Sequence, residues 1–165
     1  MMERFTRQET LVLTRSSPGR LSYLARTGIV VPQKSHLPNQ ANLLYTWDQV
    51  LEIRAINLLR QKASFQTIRK IVNFLESYGF DKKLRDKHLV VLHDEVDWVM
   101  PDSAEIPRIL RVAGKNSQKT EGQFLLMAIP PLADLIKDVW ETARTSKVID
   151  FESFKKRVNA HSDQE

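Results

Sequence analysis

Two helix-start signals and one helix-stop signal crowd the first 28 residues, and together they allow little besides two short helices joined by a tight turn. Thr6 followed by Glu9 is a capping box: the threonine oxygen can accept from the backbone N–H of Glu9 while the glutamate reaches back to Thr6. A helix of about eight residues should follow. Ser17 then supplies an N-cap with Pro18 at the first helical position, where a missing N–H costs nothing and a fixed φ suits the helix. This second helix should run to about Thr27 and stop at Gly28, which can take the left-handed conformation, with Pro32 preventing continuation.

Within the second helix Leu21, Leu24 and Ala25 share one face, which leaves Arg20, Tyr23, Arg26 and Thr27 on others. The segment 30–45 carries Pro32, Pro38 and a polar stretch from Asn39 to Asn42 between short apolar ends, the pattern of a hairpin-like wing. Thr46 with Gln49 is another capping box, opening a third helix that is apolar over a wide arc from Trp47 to Leu59 and is therefore expected at the centre. Ser64 caps a fourth helix in which Phe65, Ile68, Ile71, Val72 and Leu75 recur at helical spacing until Gly79 ends it.

Charge distribution suggests what such a scaffold could meet. Residues 1–87 hold 15 Lys/Arg against 7 Asp/Glu, a net of +8, whereas residues 88–165 hold 10 against 13, a net of −3. Lys and Arg that neutralise phosphates release counterions, so a basic half is what a polyanion-binding surface needs. A high isoelectric point is also compatible with solubility alone. Zero cysteines exclude disulfides, thiolate metal sites and cysteine nucleophiles. No apolar run reaches the length of a membrane span, and the arginines scattered through the first 30 residues leave no secretory h-region, so a cytoplasmic protein without membrane association is expected.

The stretch Ser17-Pro18-Gly19-Arg20-Leu21-Ser22-Tyr23-Leu24-Ala25-Arg26-Thr27-Gly28-Ile29-Val30-Val31-Pro32 resembles the recognition helix and exit of the MerR family, and Leu44-Tyr45-Thr46-Trp47-Asp48-Gln49-Val50 resembles that family's junction from wing to third helix. The likeness covers roughly residues 5–77. It implies a winged helix-turn-helix whose second helix enters the major groove of double-stranded DNA while the wing rides on the flanking backbone. On that basis Tyr23 falls on the aromatic position that reaches a phosphate, and Arg20 in the part of the helix facing DNA. Two departures stand out: Ser22 occupies a place where the family usually has arginine, and Leu43 another. The DNA-contacting set expected here is Arg15, Ser17, Arg20, Ser22, Tyr23, Arg26, Lys34 and His36, with Arg15, Arg26, Lys34 and His36 compensating for the missing arginines. Against this, Tyr23 fits equally a place at the core edge, and the arginines fit a solvated surface.

After Gly79 the texture changes. His88 to Leu92 and Val96 to Val99 read as two strands around a His93-Asp94-Glu95 turn, and Gly122 to Ile129 as a third strand of the same sheet. The polar stretch from Val112 to Gly122 reads as a loop. From Pro131 a strong amphipathic helix places Leu132, Leu135, Ile136, Val139, Trp140 and Ala143 on one stripe, with Asp134, Lys137, Asp138 and Glu141 opposite. The hairpin, the Gly122-Gln123 strand and this helix weakly resemble the small domain of VapB-like antitoxins. The expected fold is thus mainly α with a small β component: a winged helix-turn-helix over residues 1–78, a linker over 79–87, and a small α+β domain over 88–165.

Catalysis finds no support. His36, His88, His93 and His161 are scattered, no Gly-rich phosphate loop or Gly-x-Ser-x-Gly elbow exists, and the basic run Lys155-Lys156-Arg157 reads as a solvated end. The chain is expected to be no enzyme and to need no cofactor or metal. It is expected to be a homodimeric regulator on double-stranded DNA. The alternative is an antitoxin or adaptor that binds a partner such as a toxin-like nuclease through its C-terminal half.

Overall fold

Helix α1 (Arg7–Thr14) opens with both halves of its capping box made: the Glu9 N–H donates to Thr6 Oγ1 at 3.3 Å, and the Thr6 N–H to Glu9 Oε2 at 2.8 Å. Thr6 belongs to the short strand β1 (Phe5–Thr6), so the cap also ties the helix to a sheet. Helix α2 (Pro18–Arg26) starts at Ser17, whose Oγ accepts from the Arg20 N–H at 3.2 Å, and the chain leaves it through Gly28 at φ +74°. The computed structural model describes residues 4–35, 42–92, 95–100, 108–113, 127–128 and 131–162.

Strands β2 (Gln33–Lys34) and β3 (Leu43–Tyr45) pair antiparallel, and β1 pairs with the other side of β3, giving the order β1-β3-β2. Residues 36–41, His36 of the expected DNA-contacting set among them, lie outside the described residues. Helix α3 (Trp47–Leu59) follows, its first turn closed by the Thr46/Gln49 box at 3.2 and 3.1 Å. Every residue from Val50 to Asn57 is buried, as its wide apolar arc leads one to expect. Ser64 caps α4 (Phe65–Ser77), which ends before Gly79 at φ +74°.

Strands β4 (His88–Leu92) and β5 (Glu95–Met100) form the expected hairpin. Strand β6 (Arg108–Ala113) pairs with β5, and β7 (Met127–Ala128) with β4, so the second sheet runs β6-β5-β4-β7, antiparallel throughout. Strand β6 is a difference from the sequence reading, which placed Val112 and Ala113 in a loop. Strand β7 lies inside the expected third strand, whose other residues, Gly122 to Leu126 and Ile129, fall outside the described ones. Helix α5 (Leu132–Thr145) buries Leu135, Val139 and Ala143. A last helix, α6 (Phe151–Ser162), occupies the stretch read as a solvated basic end. The result is mainly helical with two small antiparallel sheets.

The chain divides into two compact units. One comprises 1–57 together with 134–165, and the other 58–133. Nearly all of α5 and the whole of α6 therefore belong with α1, α2 and most of α3, whereas sequence reading grouped residues 88–165 together. The reason is packing. Fully buried Phe154 of α6 meets Trp47 at 5.7 Å, Phe5 at 5.9 Å and Trp140 at 5.2 Å between ring centroids. Contacts of this kind each contribute about 0.5–1.5 kcal/mol beyond the area they bury. In the second unit α4 lies against β6. The stretch 79–87, expected as a linker, lies within this unit and buries Leu84 completely, while Lys87 is nearly buried over the Trp98 ring.

Candidate nucleic-acid interface

Leu21 and Leu24 pin α2 to the core at 2% and 1% exposure, and this decides which residues face outward. Gly19, Ser22, Tyr23 and Arg26, at the spacing i, i+3, i+4, i+7, make the opposite strip; Ser22 and Arg26 are exposed and Tyr23 is half-buried. The Arg26 guanidinium carbon sits 5.9 Å from the Tyr23 ring centroid, the limit of a cation–π contact. Ser22 Oγ donates to the Pro18 carbonyl at 3.0 Å, one turn back along its own helix. Ser17 is committed to the cap, yet remains exposed at the head of the strip.

Arg20 is placed differently from the others. It is half-buried, and its Nη1 donates to Asn57 Oδ1 at 3.1 Å, so this arginine is directed toward α3. Lys34 is exposed on β2. Arg15 occupies the turn between α1 and α2 with φ +53°, a left-handed conformation that costs a non-glycine residue about 1 kcal/mol. Its side chain is 58% exposed, and Nη2 donates to Thr142 Oγ1 at 3.2 Å and Asp138 Oδ1 at 3.4 Å, both on α5. Arg15, Ser17, Ser22, Arg26 and Lys34 are thus the exposed polar residues of the expected set among the described residues, and Arg20 joins the framework behind them.

That framework is a polar clamp that sequence reading missed. Buried Asn57 donates from Nδ2 to the Thr14 carbonyl at 2.8 Å and to Ser16 Oγ at 2.6 Å, while its oxygen receives Arg20. One side chain therefore holds the last residue of α1, the turn and α2 together. One helical turn earlier, buried Arg54 donates from Nε to Asp138 Oδ2 at 2.6 Å, and its Nη2 lies 2.6 Å from the same oxygen. A signal was available: Arg54 and Asn57, like Glu52, are polar residues within the wide apolar arc of α3, and buried polar groups require partners.

The charge asymmetry between the two halves of the sequence does not survive folding. The unit holding α2 has 13 Lys/Arg against 11 Asp/Glu, and the other has 12 against 9, so each carries a small positive net charge. Any polyanion site must then depend on where particular cations stand. Among the described residues no group of three His, Asp or Glu could hold a metal ion, and no helix is long and apolar enough to cross a membrane. The chain matches no protein-family model and no curated protein.

Proposed function

We propose that the chain is a sequence-specific DNA-binding transcriptional regulator of MerR-like type, acting as a homodimer. One observation carries the reading: two capped helices joined by a three-residue turn, the second pinned by Leu21 and Leu24 so that Ser22, Tyr23 and Arg26 stand outward. Such a helix fits the major groove, and exposed Arg15 and Lys34 supply cations for the flanking phosphates. Affinity comes from these phosphate contacts, and sequence choice from the outward strip of α2 at base edges. Two copies would read half-sites about 34 Å apart, one helical turn of DNA.

Band shifts across a salt series test the proposal. Each phosphate contact contributes a slope of about −0.9 to the log–log plot of affinity against salt, so Arg26→Ala and Lys34→Ala each flatten it by about one. Arg20→Ala weakens binding through lost stability, with the slope nearly unchanged, because its guanidinium is directed to Asn57. Failure of the wild-type chain to retard any duplex at low salt would overturn the reading and favour an adaptor role.

A further inference from the structure

We infer that helix α5 presets Arg15 for a backbone phosphate, with Thr142 as the positioning residue. The inference rests on the DNA-binding reading above and deepens it by naming a contact at the turn. Arg15 has a left-handed backbone, which fixes where its side chain leaves the turn. Both of its hydrogen bonds use a single nitrogen, Nη2, leaving Nε and Nη1 without a partner among the described residues. The anchor behind it is itself locked. Asp138 gives Oδ2 to buried Arg54 at 2.6 Å and offers Oδ1 to Arg15, and Thr142 Oγ1 in turn donates to the Asp138 carbonyl at 2.9 Å.

Two guanidinium groups around one carboxylate leave a net positive charge at this spot, facing solvent through Arg15. A flexible arginine loses rotamer freedom when it grips a phosphate, whereas one already held by two bonds loses less. The distances of 3.2 and 3.4 Å are those of a support rather than of a saturated pair, so the free donors stay available to an anion. Helix α5 is on this view part of the DNA-reading surface, although it enters the chain far from α2.

The test is a double-mutant cycle on the full-length chain, read by fluorescence anisotropy with a labelled mixed-sequence duplex across a salt series. Arg15→Ala should flatten the salt slope by about one. Thr142→Val keeps every charge, so the slope should hold while affinity falls by about fivefold, the worth of one hydrogen bond. Thr142→Ser restores the hydroxyl and should restore affinity. In the Arg15→Ala background Thr142→Val should have no further effect, which a general loss of helix stability would not reproduce. Equal losses in both backgrounds, unchanged affinity, or tighter binding by Thr142→Val would each overturn the inference while leaving the DNA-binding reading intact. A wild-type chain that binds no duplex would overturn both.

Discussion

Arg157 offers the most demanding test of how the first unit is held together. Its guanidinium grips Glu9 with two bonds, Nη2 to Oε1 at 2.6 Å and Nη1 to Oε2 at 3.1 Å. Nη1 also donates to the Arg4 carbonyl at 3.0 Å, and the group lies 4.5 Å from the Phe5 ring centroid. The side chains of Arg157 and Glu9 are only 13% and 18% exposed. Removing one member of a buried pair costs about 3–5 kcal/mol, and allowing for the remaining solvent access we expect about 2–3 kcal/mol for Arg157→Ala. For a unit of this size that corresponds to a fall in thermal midpoint of about 10–20 °C.

The pH dependence supplies the sign. Burial by itself raises the Glu9 pKa, but the hydrogen bonds from Arg157 and Thr6, with the charge of Arg157, outweigh it and leave the group below its ordinary 4.5. A depressed carboxyl pKa means stability that is present above 4.5 and is lost as pH falls through the folded-state value. The gap between wild type and Arg157→Ala, measured by urea denaturation followed by circular dichroism, should therefore narrow as pH drops below 4.5, since protonated Glu9 leaves Arg157 no ion pair to lose. A variant within about 2 °C of wild type at neutral pH, or a gap that widens in acid, would refute the reasoning.

Three further outcomes are expected. Phe154→Ala removes a fully buried ring from the Phe5–Trp47–Trp140 cluster and should cost about 3–5 kcal/mol by denaturant titration, with a matching loss of near-ultraviolet dichroism. Asn57→Ala takes a buried donor from the Thr14 carbonyl and an acceptor from Arg20, so it should cost about 1–3 kcal/mol and, on the proposed DNA-binding reading, weaken duplex binding without altering the salt slope, because it removes no charge. Gly28→Ala meets no atom within 4 Å, so its penalty should be the backbone one alone, about 1–2 kcal/mol from φ +74°.

The parts legible in the sequence were those whose physics is local. Thr6 with Glu9, Ser17 with Pro18, Thr46 with Gln49, and Ser64 each mark a helix start through groups three residues apart, and α1 to α4 begin where these signals stand. The outward strip of α2 was partly legible. Leu21 and Leu24 define its buried side, but Arg20 lies close enough to that side to reach Asn57, a partner no helical periodicity points to. Strand β6 was missed because Arg108 to Ala113 lacks clean alternation, and its pairing with β5 is set by the partner strand. Helix α6 was missed although Asp150 accepts from the Ser153 N–H at 2.7 Å, an ordinary cap. Its apolar stripe, Phe151, Phe154 and Val158, is thin, and the three basic residues between Phe154 and Val158 give the stretch the pattern of a solvated end. Net charge misled because it was summed along the chain, whereas folding regroups residues 134–165 with residues 1–57.

The first unit is discontinuous, and this bears on how it comes into being. Emerging from the ribosome, Glu9 precedes its partner Arg157 by 148 residues, and Arg15 precedes Asp138 by 123. Contacts of such long range form slowly, since the intervening loop must close before any of them is made. The nascent helices α1 and α2 must thus wait, incompletely supported, until residues 134–162 have been translated. A chain interrupted before residue 134 would keep Glu9 and Arg15 and lack the α5 and α6 side chains that hold them in place.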